Sequence, residues 1–243
     1  MNFYAIIIGT EILNARREDK HFHFLQNELK KYGHELFASF IIKDDVALIT
    51  KCYELVKSDK NSILFSFGGI GATPDDLTRE ISAKVFTSKP LTLHKQFEKD
   101  IIDRFADEAY PHRIHMAELP QDAKLLFNPI NNMSGYFLED RFFFVPGFPE
   151  MAHPMISNAI ETFFPKSVEK FRYTLLAQTS ENTLISLMQN IPSNIELSSL
   201  PMIKENKASV ELSLSGFDEL SLKQHFNLFC NELNDKNIPY TLL

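Results

Sequence analysis

Tryptophan is absent from this chain of 243 residues, and cysteine is nearly so. Its two cysteines, Cys52 and Cys230, lie far apart in helix-like, apolar surroundings. There is no CxxC pair and no Cys/His spacing of the zinc-ligand kind, so a disulfide framework is excluded and reduced thiols are expected. No apolar run approaches the roughly 18 residues of a membrane helix. The N-terminus enters a strand directly, without the basic start and cleavage site of a signal peptide. A soluble, cytoplasmic protein with no membrane partner is expected. The formal net charge of −7 opposes non-specific attraction to nucleic acid. No Ser-His-Asp or Cys-His arrangement for nucleophilic catalysis is identifiable.

Glycine is also scarce, with eight in all, and three of them fall in four positions: Gly68, Gly69 and Gly71. They lie inside Ile63–Arg79, ILFSFGGIGATPDDLTR. The stretch reads as a buried strand, a glycine-rich turn and a helix carrying Leu77, Ile81 and Val85 at four-residue spacing. A strand, a turn and a helix N-terminus in that order present free backbone N–H groups to an anion. Asp75 and Asp76 stand where a divalent cation would bridge protein and phosphate. Plain punctuation is the alternative: Thr73 as N-cap, Pro74 at the first helical position and Asp76 reaching back to the cap. That alternative leaves the glycines and Asp75 unexplained.

Elsewhere the order is strand–helix. Phe3–Ile8 is a continuous apolar strand of the doubly buried kind. It ends in Gly9-Thr10-Glu11, at the strand end where open α/β sheets place ligands. A helix follows from about Asp19, with Leu25, Leu29 and Tyr32 on one face and Gly33 as its stop. Glu35–Ile42 reads as a second strand. Asp44 or Asp45 caps the next helix, with Val46, Ile49, Tyr53 and Val56 inward. Thr92–Asp107 reads as an amphipathic helix. His112, Arg113 and His115 cluster after it, as a phosphate contact or a solvated linker. Short strands cover 124–127, 135–138 and 141–145, and lead into Pro146-Gly147-Phe148-Pro149, a second candidate anion-facing turn. The helix to Phe164 closes a first domain, 1–165. The pattern predicts a three-layer α/β fold with a mostly parallel sheet. From Phe171 the order changes to βαββαβ, a smaller α+β domain over 171–243. That domain carries five Lys/Arg against eight Asp/Glu and a single glycine, Gly216. Without a GxxG clamp or a basic face, nucleic acid is not its expected partner.

GGIGATPDDLT resembles the GG-x-G-[PA]-T-x-DD-x-T signature of the CinA family, whose N-terminal domain is similar to MoaB/Mog molybdopterin-binding domains. The other matches run in order. They are GTEIL at 9–13, Arg17-Glu18-Asp19-Lys20-His21 for Arg-x-Asp-Lys-[NH], then His112, Arg113, Met116 and Pro120, and the Pro-Gly-x-Pro turn from Pro146. One departure is Asn14-Ala15, which replaces the usual small-Gly pair. The resemblance implies a MoaB/Mog-like, Rossmann-like first domain and a KH-like small domain, with the C-terminal amidase domain of many CinA proteins lacking. It implies hydrolysis of a nucleoside diphosphate-linked compound such as ADP-ribose, with Mg²⁺, Mn²⁺ or Co²⁺, by a homodimer. The small domain would serve dimerisation or shape the cleft. Glu11, Asp75 and Asp76 are the expected catalytic residues, and Asp75 and Asp76 the metal ligands. Gly9, Thr10, Asp19, Asp44, Gly68, Gly69, Gly71, Thr73, Thr78, Arg113, Pro146 and Gly147 are expected to bind substrate. Alternatives of another class are molybdopterin binding or adenylylation, or a nucleotide-binding module without catalysis.

Overall fold

The computed structural model describes residues 1–166, 170–204 and 207–243. The chain divides into two compact units, Met1–Ser167 and Val168–Leu243. The first unit begins with β1 (Asn2–Ile8), α1 (Thr10–Leu13), α2 (His21–Lys31), β2 (Leu36–Ile42), α3 (Val46–Ser58), β3 (Ser62–Phe67) and α4 (Thr78–Ser82). A π turn over Ala83–Thr87 extends α4. Then come β4 (Leu91–Leu93), α5 (Lys95–Phe105), two 3-10 turns, β5 (Glu118–Pro120), β6 (Lys124–Leu126), β7 (Gly135–Leu138), β8 (Phe142–Val145) and α6 (Pro149–Phe163).

Six strands form one sheet in the order β2-β1-β3-β8-β7-β6, and β4 pairs with β5 separately. The pairs β2–β1, β1–β3 and β3–β8 are parallel, whereas β8–β7 and β7–β6 are antiparallel. The expected mostly parallel sheet is thus mixed at one side. From Phe3 onward β1 is an unbroken run of buried, mainly apolar residues because both of its faces are covered. Tyr4, Ile6 and Ile8 pack with Ile49, Tyr53, Val56 and Ile81 on one face. Phe3, Ala5 and Ile7 pack with Leu25, Leu29, Ala152 and Ile156 on the other. Each such fully buried aliphatic side chain stabilises the fold by about 1.5–3 kcal/mol. β3 is buried at all six positions. Its two buried serines are both satisfied, Ser66 by the Tyr53 hydroxyl at 2.8 Å and Ser62 by the Arg141 guanidinium at 2.7 Å.

Local signals set the helix ends. Gly33, at φ 74°, follows α2 in the left-handed region. His34 N–H reaches the Leu29 carbonyl (3.0 Å) and Gly33 N–H the Lys30 carbonyl (3.1 Å), the paired bonds of a Schellman stop. Asp45 caps α3 by accepting from Leu48 N–H at 2.8 Å, which leaves Asp44 for another task. Val46, expected to point inward, is exposed because it stands at the first position of α3. The amphipathic segment 92–107 is helical only over Lys95–Phe105, since Leu91–Leu93 pairs with β5 instead.

The second unit comprises β9 (Phe171–Ala177), α7 (Ile185–Met188), β10 (Glu196–Lys204), β11 (Lys207–Gly216), α8 (Glu219–Asp235) and β12 (Tyr240–Leu242). Its antiparallel sheet runs β10-β11-β9-β12. Leu175, Val210, Leu212 and Leu214 pack against Leu222, Phe226, Phe229 and Leu233 of α8. The expected helix over 181–189 shrinks to a 3-10 turn and the single turn of α7. The Thr179 and Thr183 hydroxyls bond each other there at 2.7 Å, and such side-chain bonds compete with a helix start. Among the described residues, no helix is long and apolar enough to cross a membrane.

Candidate functional site

β1, β3 and β8 are neighbours in the sheet, and their C-terminal ends run into Gly9, Gly68 and Pro146-Gly147. Gly68 carries φ +98°, and a Cβ there would stand 2.5 Å from the Ile8 carbonyl oxygen. A Cβ on Gly147 would stand 3.5 Å from the Gly68 Cα. Three chain segments therefore approach one another through bare backbone, which only glycine at Gly68 permits. This is the strand-end crevice in which open α/β sheets bind ligands.

The glycine-rich turn is fixed from within. Thr78, fully buried at the start of α4, donates its hydroxyl to Gly68 O (2.9 Å) and its N–H to Gly69 O (2.9 Å). It is therefore a peg beneath the turn and not a ligand contact. Gly69, at φ +69°, lets the chain pass 2.6 Å from the Thr78 hydroxyl, measured from the position a Cβ would take. Among the described residues, the N–H groups of Gly69, Ile70 and Gly71 have no backbone acceptor. Arg79 closes the far side. Its guanidinium donates to Gly71 O at 2.8 Å and to His115 O, from a position only 8% exposed.

Thr73–Asp76 does not start the helix as punctuation would require, because α4 begins at Thr78. The four residues form a separate turn, with Asp76 N–H donating to Thr73 O at 3.0 Å. Asp76 Oδ2 accepts from Thr73 N–H (2.8 Å) and from its hydroxyl (2.6 Å). Only half of a capping box is present, detached from the helix: the Asp76 carboxylate reaches back to Thr73 N–H, while Asp76 N–H goes to the Thr73 carbonyl and not to its side chain. The absence of a Cβ at Gly71 makes room for this carboxylate, which would stand 2.5 Å from one. Asp75 is exposed, and the neighbouring Thr73 hydroxyl and its own backbone N–H hold its carboxyl below the usual value. Asp75 is thus ionised at neutral pH.

On the β1 side, Asp44 Oδ2 accepts from Thr10 N–H and from the Thr10 hydroxyl, each at 2.8 Å. This pair ties the loop after β1 to the loop after β2. Glu11 folds its carboxylate back over Gly9 and faces Arg17 at 3.7 Å. The Arg17 guanidinium also lies 5.6 Å from the centre of the Phe148 ring, so it links the β1 and β8 loops. Asp19 caps α2: its two oxygens accept from His21 N–H (2.9 Å) and Phe22 N–H (3.1 Å). Ala15, in the Asn14-Ala15 departure, takes φ +61°, a conformation suited to glycine.

Among the described residues, no bond ties Arg113 to these loops. Its guanidinium donates to Glu108 Oε2 (2.7 Å) and sits 4.5 Å from the Phe105 ring centre. His115 bonds Glu118 at 3.1 Å. The basic residue that does reach the glycine turn is Arg79, which sequence reasoning missed because it reads as an ordinary helix residue. His21 was also passed over as a motif position. It is 3% exposed, stacks on Phe67, and places Nε2 3.4 Å from the Gly147 carbonyl. Burial lowers its pKa, so the ring is neutral.

Among the described residues, no three His, Cys, Asp or Glu side chains form a metal-holding group. Asp75 and Asp76 supply two hard oxygen donors on an accessible turn. That set fits a cation that keeps its waters and shares substrate phosphate oxygens, as Mg²⁺ does.

A three-layer α/β unit with glycine-lined strand ends and uncommitted N–H groups is a ligand-binding domain of the open-sheet class. The chain belongs to the family of the probable molybdopterin binding domain, whose model matches residues 4–166. It is similar to a CinA-like protein of Fusobacterium nucleatum, at 27% identity over 68% of this chain and 39% of that protein. A CinA-like protein of Acaryochloris marina is 32% identical over 62% of this chain and 37% of its own length. The matched part thus spans about two fifths of these relatives. The crystal structure of a CinA protein of unknown function from Thermoplasma acidophilum superposes with a TM-score of 0.59 at 25% identity, covering 66% of this chain and 97% of that one.

Proposed function

We propose that the first unit binds a nucleoside diphosphate-linked compound at the ends of β1, β3 and β8 and hydrolyses its phosphoanhydride with a divalent cation, working as a homodimer. The observation that carries this reading is the meeting of Gly68 with Ile8 and Gly147, beside an accessible Asp75-Asp76 pair. Bare backbone gives phosphate oxygens close approach to the N–H groups of Gly69–Gly71. Asp75 and Asp76 would hold Mg²⁺, Mn²⁺ or Co²⁺, which when bound polarises the phosphorus and lowers the pKa of water. The remaining work belongs to the chain. Thr78 and Arg79 hold the turn in register. Thr10 and Asp44 brace the β1 loop. Glu11, at the rim, would orient a water or take its proton.

The test is AMP release from ADP-ribose, FAD and NAD with each metal. Metal-dependent release from one of them supports the reading and names the substrate. Silence across the panel overturns it.

A second reading is molybdopterin binding or adenylylation. The family match over 4–166 favours it. It predicts tight binding of a pterin without metal-dependent AMP release. A nucleotide-binding module without turnover is the outcome if nucleotides bind and persist.

A further inference from the structure

We infer that Phe148 is the platform on which the planar heterocycle of the ligand stacks, with Arg17 holding the platform in place. The inference rests on the reading of the Gly68–Gly147 crevice as the phosphate site. Phe148 directly follows Gly147 and stands at the N-cap of α6. Its carbonyl is committed to that helix, accepting from Met151 N–H (3.0 Å) and Ala152 N–H (2.9 Å). Its side chain makes no cap bond. Ser, Thr, Asp or Asn would serve the helix better at this position. The local rule is broken, and breaks of that kind gather at functional sites.

The ring contributes little to the core. It is 52% exposed, whereas Phe65, Phe67, Phe143 and Phe144 of the adjoining strands are buried. Among the described residues its ring contact is with Arg17, which in turn faces Glu11 at 3.7 Å. Glu11 lies over Gly9. A half-open aromatic ring is therefore fixed to the rim of the crevice by the loop opposite. A ring beside phosphate-binding backbone recognises a flat π-system of any base, since every such ring has a face to offer. The ligand class is a phosphate or diphosphate attached to a planar heterocycle, either an adenine or a pterin.

The experiment is calorimetric titration of the full chain, with a chelator in place of Mg²⁺ so that no probe is hydrolysed during the titration. The probes are pyrophosphate, ribose 5-phosphate, ADP-ribose and a pterin diphosphate. The variants are Phe148→Ser, which supplies a helix cap and removes the ring, and Phe148→Tyr, which keeps the ring. The wild type should bind one ring-bearing probe more tightly than either ringless probe, and which one separates nucleotide from pterin. Phe148→Ser should weaken that probe roughly 5- to 150-fold. It should leave pyrophosphate within about twofold, and Phe148→Tyr should stay near wild type. Equal weakening of ringed and ringless probes, or no weakening, overturns the inference while the phosphate site stands. So does a wild type that binds the ringed probes no better than pyrophosphate. Failure of the wild type to bind any probe overturns the phosphate-site reading itself.

Discussion

The hydroxyl of Thr78 donates to the carbonyl of Gly68 at 2.9 Å from a position with no exposed surface. A threonine at the end of a ligand-binding motif thus works underneath the motif. Thr78→Val keeps the shape and leaves a buried carbonyl short of a donor. It should cost about 1–3 kcal/mol in chemical denaturation, with Thr78→Ser close to wild type. Equal stability of the valine and serine variants would remove the peg from the account.

The two glycines that face each other across the crevice are expected to behave differently. Gly68→Ala puts a Cβ 2.5 Å from the Ile8 carbonyl at φ +98° and should lose about 3 kcal/mol or more. Gly147→Ala puts one at an ordinary contact of 3.5 Å and should stay within about 0.5 kcal/mol. Thermal or denaturant melts of the two variants read the contrast directly.

Ala15 takes a left-handed backbone at φ +61°, a conformation that strains a residue carrying a Cβ. Ala15→Gly should therefore stabilise the chain by about 1 kcal/mol or somewhat less, the relief of the Cβ strain offset in part by backbone entropy. A lower melting temperature for Ala15→Gly would show that the loop bears no such strain.

Two imidazoles lie behind the Gly147 loop. His153 stacks on Phe24 with ring centres 3.7 Å apart, and burial and the neighbouring His21 push its pKa down to about 4. A histidine whose folded pKa is depressed resists protonation in the folded state, while the unfolded chain takes the proton near 6.5. Stability is then full above about 6.5 and falls as pH drops toward 4. His153→Phe retains the stack and removes the titration. The variant should gain on the wild type as pH falls from 7 to 5, as read by denaturant midpoints. A difference between the two proteins that does not change with pH would contradict the assignment.

Much of this arrangement is legible before any coordinates. The apolar runs Phe3–Ile8 and Ile63–Phe67 become neighbouring strands because an unbroken apolar run needs cover on both faces. The glycine cluster marks the crevice because little else passes so close to Ile8. Other features depend on partners distant in sequence. Asp44 and Asp45 look equivalent as caps. Only the fold brings Thr10 to Asp44, which leaves Asp45 to cap α3. Arg113 looks more available than Arg79, yet Glu108 and Phe105 occupy the former, while the latter is buried against the glycine turn. Thr73-Pro74-Asp75-Asp76 has the residues of a helix start, and its bonds close on themselves between Thr73 and Asp76, before the helix begins at Thr78.

The most direct measurement is AMP release from ADP-ribose by the wild type, Asp75→Asn and Asp76→Asn, with Mg²⁺, Mn²⁺ or Co²⁺ and with a chelator. The account predicts release that needs metal and falls by ~100-fold or more in both variants, each remaining folded by circular dichroism. Variants that turn over like the wild type would contradict the role of the aspartate pair. A wild type that binds a pterin tightly and releases no AMP would contradict the hydrolase.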